Sequence, residues 1–353
     1  MNELIALAGL PAMGPARLGA LLSTYEPEEA WDRLRRGDLP TLAEHLRLLW
    51  RTAAARVDVD ALGAAHRDAG VQVLTAADPA FPRELADDPE PPAVLFVRGS
   101  LDALRTRRVA IVGTRRCTWS GRLVARSLGR ELAEAGVCIV SGLALGIDGE
   151  AHAGALEPGG RPVAVVGTGL DVVYPKRHGQ LWERVGAEGA LVSEYPLGTQ
   201  PERWRFPARN RLIAALAEVV VVVESTERGG SMHTVDAALE RDRVVLAVPG
   251  PVRSPASAGT NGLLAAGCPP CRDARDVLVA LGLTPAAGAS AVAATPDDPE
   301  AARVLDALGW EPATLDELAE RLDVPLGPVA VHLTRLANAG WVVQRSGWWE
   351  RVR

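Results

Sequence analysis

Five short runs of valine, isoleucine and alanine recur between residues 109 and 248, alternating with stretches that have the length and spacing of helices. The runs are VAIVG (109–113), VCIV (137–140), VAVVG (163–167), VVVVVE (219–224) and VVLAV (244–248). Because they are apolar throughout rather than alternating, they predict strands buried on both faces and joined by helical crossovers into a parallel sheet. Such sheets bind ligands beyond the carboxyl ends of their strands. The residues that follow each run are therefore the candidate functional residues.

A chain of 353 residues is long enough for two or three domains. We predict a small helical domain over residues 1–70, of the SAM or helix-hairpin-helix type, because Leu4–Leu22 reads as two short helices around Gly9-Leu-Pro-Ala-Met-Gly14. Residues 71–285 are predicted to form an extended Rossmann-like domain, a doubly wound α/β sheet that starts with two strand-like runs between prolines. Residues 286–298, rich in alanine and proline, are predicted to be a linker.

Residues 299–353 have the pattern of a winged helix. Three helices are predicted over 299–309, 314–322 and 326–338, and a hairpin with a turn at Ser346-Gly347 follows them. The segment Thr314-Leu-Asp-Glu317 has the spacing of a capping box, which predicts the start of the second helix.

The charge of the chain is unevenly distributed, although its formal net value is −6. Residues 1–104 carry 10 arginines against 16 acidic residues, and residues 286–353 carry 6 against 10. Residues 105–285 carry 22 basic residues, of which Lys176 is the one lysine, against 18 acidic residues, a balance of +4. The predicted sheet domain is thus the basic part of an acidic protein, which permits an anionic partner there.

The remaining composition narrows the class of protein. No apolar run approaches the roughly 20 residues that cross a bilayer, and Glu3 stands early in a segment without a basic start, which disfavours a secretory signal. We therefore expect a cytoplasmic protein without membrane insertion. Cys268 and Cys271 have the spacing of half a zinc site, but no second pair accompanies them, so we expect a turn rather than a metal site.

Glycines or hydroxyl residues follow four of the predicted strands. Glycines let a backbone approach a phosphate closely, and the N–H groups at the start of the next helix can hold the anion. Because the carboxyl ends of parallel strands share one edge of the sheet, these loops together predict an anion site. Its predicted members are Gly113, Thr114, Arg115, Ser141, Gly142, Leu143, Ala144, Gly146, Gly167, Thr168, Gly169, Gly230 and Ser231.

The loops do not match the known nucleotide-cofactor motifs. Gly113 is followed by Thr-Arg-Arg, so no Gly-x-Gly-x-x-Gly opens the first helix, and no Gly-x4-Gly-Lys-[Ser/Thr] occurs in the chain. We therefore expect no bound cofactor.

A basic and aromatic cluster, Arg203-Trp-Arg-Phe-Pro-Ala-Arg-Asn-Arg211, precedes a probable helix. Arginines can neutralise phosphates while aromatic rings accept unpaired bases, a combination suited to single strands. We predict contacts from Arg203, Phe206, Arg209, Asn210 and Arg211. The alternative is that Phe206 and Trp204 belong to the core and that the arginines pair with acids such as Glu202 and Glu224.

Three ionisable residues near these loops have a structural interpretation. Asp148 is expected to cap a helix and His152 to be packed or hydrogen-bonded, because no nucleophile stands beside them in a recognisable motif. Glu224 ends a buried run, and we expect it to orient Arg211 or Asn210. We predict no catalytic residue.

The chain resembles the DNA-processing protein DprA (Smf) family. The resemblance rests on many short blocks in that family's order, which together with Phe81-Pro82 span roughly residues 80–270. The blocks are Val109–Arg115, Ser141–Asp148 with Ala151-His152, Gly167–Asp171 with Tyr174-Pro175, Ser193–Pro196, Phe206–Arg211, Gly230-Ser231 with Thr234, Pro249-Gly250 and Gly259–Asn261.

The resemblance implies a protein that binds single-stranded DNA during natural transformation and competence, forms a homodimer through its Rossmann-like domain, and loads RecA while relieving inhibition by single-strand-binding protein. It also implies that the residues matching Arg115, Arg203 and Phe206 touch DNA alongside the glycine loops. Gly229 departs from the family's Ser-Gly-Ser by lacking the first hydroxyl.

Two other functions are weighed against this one. A nucleotide-processing enzyme of the Rossmann-like phosphoribohydrolase type would need a Pro-Gly-Gly-x-Gly-Thr-x-x-Glu motif, which is absent from the sequence. A winged-helix transcription factor would carry basic or amide side chains along its third helix. That helix offers only His332, Arg335 and Asn338, so we expect the winged helix to contact protein or to play an auxiliary role.

Overall fold

The computed structural model describes residues 1–39, 43–284, 296, 298–345 and 347–351, and these form two compact units, 1–283 and 284–353. The predicted linker 286–298 lies outside the described residues apart from residues 296 and 298, as does Ser346 of the predicted turn. No helix in the described part of the chain combines the length and the apolar character that a bilayer crossing requires.

The first unit contains an eight-stranded sheet with the order β1-β2-β6-β5-β4-β3-β7-β8. Its strands are β1 (Gln72–Leu74), β2 (Leu95–Gly99), β3 (Arg108–Val112), β4 (Cys138–Ser141), β5 (Val163–Val165), β6 (Ala190–Ser193), β7 (Val219–Val222) and β8 (Val244–Ala247). The five predicted runs correspond to β3, β4, β5, β7 and β8, which pair in parallel. The doubly wound sheet is thus confirmed. The sequence pattern missed β6, because Val192 is its one β-branched residue.

The strand order reverses at β3. From β3 the chain builds outward through β4, β5 and β6, and it then returns to place β7 and β8 on the other side of β3. The carboxyl ends of β3 and β7 therefore flank the topological switch point, where doubly wound sheets bind ligands. At the far edge β2 pairs antiparallel to β6, and β1 pairs antiparallel to β2, so the two strand-like runs before residue 104 extend the sheet.

Helices cover both faces of the sheet. They are α6 (Arg83–Ala86), α7 (Trp119–Glu134), α8 (Ile147–Leu156), α9 (Gly179–Glu188), α10 (Arg205–Leu216), α11 (Met232–Leu239), α12 (Ala258–Ala265) and α13 (Ala274–Ala280), with short 3-10 turns at Leu101–Arg105, Lys176–His178 and Pro255–Ser257. Val109 and Ile111 of β3 pack with α7 and α8, whereas Ala110 and Val112 pack with α10 and α11. This alternation explains why the runs are apolar throughout.

Five helices precede the sheet in the same unit: α1 (Asn2–Ala8), α2 (Pro15–Leu22), α3 (Pro27–Arg36), α4 (Glu44–Ala54) and α5 (Val59–Asp68). The two short helices predicted around Gly9 and Gly14 are α1 and α2. His66 of α5 joins this group to the sheet, since its Nε2 accepts a hydrogen bond from the Leu197 amide (3.1 Å) and its Nδ1 lies 2.9 Å from the Leu62 carbonyl oxygen. Burial lowers the pKa of His66, which favours the neutral ring that both contacts require. The boundary at residue 70 stays a prediction.

The second unit has the predicted winged-helix elements. They are α14 (Pro299–Leu308), β9 (Ala313–Thr314), α15 (Leu315–Leu322), α16 (Leu326–Asn338), β10 (Val342–Arg345) and β11 (Trp348–Arg351). The predicted capping box is confirmed: the Thr314 hydroxyl accepts from the Glu317 amide (3.2 Å), and the Glu317 carboxylate accepts from the Thr314 amide (2.8 Å). The box therefore sets the start of α15.

Replacing the cap residue should loosen α15 without disturbing the rest of the chain. Thr314→Ala removes the side-chain acceptor of a helix N-terminus, which typically costs about 0.5–2 kcal/mol. We expect amide hydrogen exchange of residues 315–322 to accelerate by about 2- to 30-fold, measured by mass spectrometry. Thr334→Ala is the matched control, because the exposed Thr334 bonds only back to Ala330 of its own helix. Equal effects of the two substitutions would contradict a specific capping role.

Candidate nucleic-acid interface

A cavity of about 650 Å³ opens at the switch point, beyond the carboxyl ends of β3 and β7. We call it the switch-point pocket. Ten of the predicted site residues line it, together with Asp148, Tyr174, Gly229, His233, Thr234 and a few apolar side chains. The ten are Gly113, Thr114, Arg115, Ala144, Arg203, Phe206, Arg209, Asn210, Gly230 and Ser231.

Two arginines are exposed at this pocket. Arg115 follows β3 and Arg203 precedes α10, and neither makes an ion pair with the described residues. The other three arginines of the 203–211 cluster, by contrast, are paired with acids or with backbone carbonyls. Arg115 and Arg203 are therefore available to an anion in solution, which suits phosphate binding.

Phe206 brings an aromatic ring to the same place. The guanidinium carbon of Arg115 lies 5.2 Å from the centroid of the Phe206 ring, and the ring of Tyr174 stacks on Phe206 with centroids 5.2 Å apart and planes 27° apart. Phe206 is only partly buried. The alternative that it is a core residue is thus not what the structure shows.

Most of the cluster lies within a helix, not before one, because α10 begins at Arg205. The helix includes Pro207 in its first turn. Proline is tolerated in the first turn of a helix, where the amide has no intrahelical acceptor. Its arginines consequently point in different directions, and only some of them reach the pocket.

Arg209 is 4% exposed and acts beneath the pocket. Its Nη1 donates to the carbonyl oxygens of Gly142 (2.8 Å) and Val165, which tie the loops after β4 and β5 to α10. Burial lowers the pKa of Arg209 to about 10, and nearby Asp148 opposes that shift. Burial likewise raises the pKa of Asp148, against the attraction of Arg209. We propose that Arg209 positions the loops and does not itself touch DNA.

Arg211 also has internal partners. Its Nη2 lies 2.5 Å from the buried Glu194 carboxylate, and its Nη1 donates to the Glu90 carbonyl oxygen (3.0 Å). Arg205 pairs with Glu202 (3.0 Å). For these two arginines the structure shows pairing with acids. Because Arg211 lies outside the lining of the switch-point pocket, we propose that it too has a supporting role.

The expectation that Glu224 orients Arg211 or Asn210 is wrong. The Glu224 carboxylate accepts from the Thr118 amide (2.8 Å) and hydroxyl (2.5 Å), so it holds the start of α7. A side chain at Gly121 would collide with this carboxylate, which explains the glycine there. The side-chain amide of Asn210 instead donates to the Gly230 carbonyl oxygen (3.3 Å) and so connects α10 to the loop after β7.

Asp148 and His152 have structural roles that differ in part from the expected ones. Asp148 does not cap α8. Its carboxylate accepts a hydrogen bond from the backbone amide of Gly142 (3.1 Å) and so links the start of α8 to the residue that follows β4. His152 is fully buried, as expected of a packed residue, and burial lowers the pKa of its imidazole to about 3. The ring is therefore neutral at physiological pH and cannot act as a cation for an anionic ligand.

The other predicted residues of the glycine loops do not line the switch-point pocket. The hydroxyls of Ser141 and Thr168 donate to the carbonyls of Ile111 (2.6 Å) and Val172 (2.9 Å), so both are engaged internally. Gly146 has φ +83°, and a Cβ there would lie 2.4 Å from the Thr114 carbonyl oxygen. Only glycine permits the loops after β3 and β4 to touch at this point. Leu143, Gly167 and Gly169 are buried, and Gly167 lies against the Phe206 ring.

Trp204 faces away from the switch-point pocket. It is 44% exposed, its indole N–H donates to Glu202, and its ring meets the edge of Tyr195 at 6.2 Å between centroids. It lines a separate groove with α2 and Arg211. Trp204 is therefore not a core residue either.

Cys268 and Cys271 are both free thiols, the first partly buried and the second buried. Cys271 is buried, its amide donates to the Ala247 carbonyl oxygen (2.9 Å), and burial raises the pKa of its thiol to about 12. Across the parts of the chain that the structure describes, no group of three histidine, cysteine or acidic side chains could hold a metal ion.

Two separate variants, Arg209→Met and Arg203→Met, test whether Arg209 has a structural role that the exposed Arg203 lacks. Arg209→Met leaves the buried Asp148 without its counter-charge, so we expect the free energy of unfolding to fall by about 3 kcal/mol. Arg203→Met removes an exposed side chain, so stability should change by less than about 0.5 kcal/mol. Urea unfolding of the two variants and the wild type measures both. Equal stability of the two variants would contradict the buried role of Arg209.

Two family models match the chain. One, described as DNA recombination-mediator protein A, matches residues 72–282. The other, described as the DprA winged helix domain, matches residues 288–347.

Curated relatives cover most of the chain. Protein Smf of Escherichia coli (strain K12) is 39% identical and covers 77% of this chain and 75% of its own length. A putative DNA processing protein DprA of Mycobacterium tuberculosis is 37% identical and covers 96% of this chain and 91% of its own.

Solved structures have the same fold. DNA processing protein A from Streptococcus pneumoniae superposes with a TM-score of 0.66 at 32% identity, covering 79% of this chain and 97% of that one. DNA processing protein A from Helicobacter pylori, whose structure was solved for its single-stranded DNA binding mode, superposes with a TM-score of 0.53 at 31% identity, covering 60% and 95%.

Proposed function

The chain belongs to the DNA recombination-mediator protein A (DprA/Smf) family, and from that premise we propose that it binds single-stranded DNA without sequence specificity and loads RecA onto it. Its relative from Helicobacter pylori has been studied for single-stranded DNA binding. The proposal for this chain rests on the chemistry of its own switch-point pocket.

The observation that carries the proposal is the meeting of exposed cations and aromatic rings at one open pocket. Arg115 and Arg203 offer guanidinium groups to phosphates, and the Phe206 ring lines the same pocket, 5.2 Å from the guanidinium carbon of Arg115. Base stacking on aromatic side chains contributes roughly 1–3 kcal/mol per base and tolerates any sequence, because every base has a π-face. Duplex DNA hides those faces, so this combination favours single strands.

The backbone of the loops adds donors for phosphate. The first amides of α8 (Ile147) and α11 (Met232) already donate to the carbonyl oxygens of Thr114 (3.4 Å) and Gly229 (3.0 Å), so each helix contributes the positive end of its dipole rather than a free first amide. The Ser231 hydroxyl donates to the Ser225 hydroxyl (2.8 Å). We therefore propose that Gly230 and Ser231 contribute through backbone N–H groups, so that the missing hydroxyl at Gly229 costs little.

We propose that the protein is not an enzyme. Asp148, the carboxylate in the pocket, is engaged by the Gly142 amide and lies close to Arg209, and His152 is neutral and buried. Neither is placed to activate a nucleophile. The phosphoribohydrolase alternative also lacks its signature motif.

The family resemblance supports the cellular part of the proposal. The resemblance implies that the protein acts in the cytoplasm during natural transformation and homologous recombination and forms a homodimer through the Rossmann-like domain. It also implies that the protein loads RecA onto single strands and relieves the inhibition by single-strand-binding protein. These partners are proposed from the resemblance alone.

Arg115→Ala should weaken binding of fluorescein-labelled oligo(dT) by about 10- to 100-fold, because a charged hydrogen bond to phosphate contributes about 1.5–3 kcal/mol. The slope of log Kd against log salt should decrease by about 0.7 for each phosphate that the variant no longer neutralises. Fluorescence anisotropy across a salt series measures both. Arg105→Ala is the matched control, since Arg105 is exposed at the opposite end of β3.

The same titration with duplex DNA and with mononucleotides tests the function itself. We expect tight binding to single strands and weak binding to both other ligands. Equal affinity for single and double strands, or oligo(dT) binding unaffected by Arg115→Ala, would contradict the proposal. Tight mononucleotide binding would favour the nucleotide-processing alternative.

Deleting residues 290–353 should leave most of the affinity for oligo(dT). The winged helix is acidic, and Asp298 partly neutralises the basic side chains of its third helix, lying 3.3 Å from Arg335 and 3.4 Å from His332. Anisotropy of the shortened chain is the measurement. Loss of most of the affinity would show that the winged helix binds DNA directly.

A further inference from the structure

Tyr174 stands at the mouth of the switch-point pocket, and neither the fold nor the binding of phosphate by Arg115 and Arg203 requires its ring. It precedes the 3-10 turn Lys176–His178, lines the pocket, and is 38% exposed. Its ring stacks on Phe206 (5.2 Å between centroids). A partly exposed aromatic ring at an open pocket is a surface on which an unpaired base can stack.

The ring of Phe206 is already covered in the free protein. Arg115 lies over it at 5.2 Å, Tyr174 stacks on it at the same distance, and a Cβ at Gly167 would lie 3.4 Å from its edge. A base that stacked directly on Phe206 would have to displace Arg115 or Tyr174. The aromatic surface that remains open belongs to Tyr174.

Tyr174 lines two cavities of different size. The smaller, of about 50 Å³, is also lined by Pro175, Phe206, Arg115, Arg209 and residues of the loop after β4. The 650 Å³ switch-point pocket, which Tyr174 also lines, has the room that a base needs.

We infer that Tyr174 is a base-stacking residue: an unpaired base of the bound strand stacks on its exposed ring, and Phe206 supports that ring from behind. The inference rests on the proposed binding of single-stranded DNA. Lys176 and Arg177, both exposed, follow Tyr174 in the chain and make no ion pair with the described residues. They offer cations to the phosphates that flank the stacked base.

The test compares Tyr174→Leu, which removes the ring, with Tyr174→Phe, which keeps it. For oligo(dT) we expect Tyr174→Leu to raise Kd by about 5- to 100-fold and Tyr174→Phe to change it by less than about 2-fold. The salt slope should be unchanged in both, because stacking releases no counterions. Tyr25→Leu is the matched control, since it removes a tyrosine ring that lies between α2 and α3, against Arg33 (4.9 Å) and outside the switch-point pocket.

A second ligand shows whether Tyr174→Leu weakens binding through the loss of base stacking or through a disturbed fold. An abasic oligomer of deoxyribose phosphates, of the same length as the oligo(dT), keeps the phosphates and lacks the bases. Wild type and Tyr174→Leu should bind it equally, because the ring of Tyr174 contacts only a base. If Tyr174→Leu weakens abasic binding as much as oligo(dT) binding, the ring acts through the fold and the inference is overturned.

The outcomes also distinguish this inference from the proposed function. Unchanged oligo(dT) binding by Tyr174→Leu, together with weakened binding by Arg115→Ala, would overturn the role of Tyr174 and leave single-stranded DNA binding intact. Unchanged binding by both variants would overturn both.

Discussion

The buried guanidinium of Arg209 is the interaction on which the switch-point pocket depends. It ties the carbonyls of Gly142 and Val165 to α10, with Asp148 as a nearby opposite charge. Phe206 stands almost one helical turn before Arg209, so fixing Arg209 also fixes the ring that faces the pocket. A charge buried this deeply is stable only when it is paired and hydrogen-bonded. The ends of β4 and β5 and helix α10 are therefore held in one arrangement beneath the pocket.

The arginines at the site fall into two groups with different roles. Arg209, Arg211 and Arg205 are engaged with carbonyls or acids, and they hold the loops and α10 in place. Arg115 and Arg203 remain exposed at the opening and are available to phosphate. Since the supporting cations already have partners, the exposed cations, Lys176 and Arg177 among them, and the amides of the loops are the groups that remain available to an anion.

Sequence patterns predicted the features that depend on local chemistry. The continuous apolar runs placed β3, β4, β5, β7 and β8, and the spacing of Thr314 and Glu317 placed the start of α15. The sequence patterns failed where contacts between distant segments determine the burial or the partner of a side chain. Arg209 and Arg203 look alike in the sequence, but Arg209 lies on the buried side of α10, whereas Arg203 precedes the helix and is exposed. Glu224 was expected to face α10, yet it faces Thr118 because β7 ends beside the start of α7. Tyr174 lies far from Phe206 in the chain, so their stacking required the fold.

Binding of a single strand in the switch-point pocket is tested most directly by amide hydrogen exchange of the full chain, measured by mass spectrometry with and without saturating oligo(dT). We expect slower exchange in the loops at 113–116, 142–147 and 229–233 and at the start of α10, with little change in α1–α5 or the winged helix. Protection confined to the winged helix or to the N-terminal helices, with these loops unchanged, would contradict binding at the pocket.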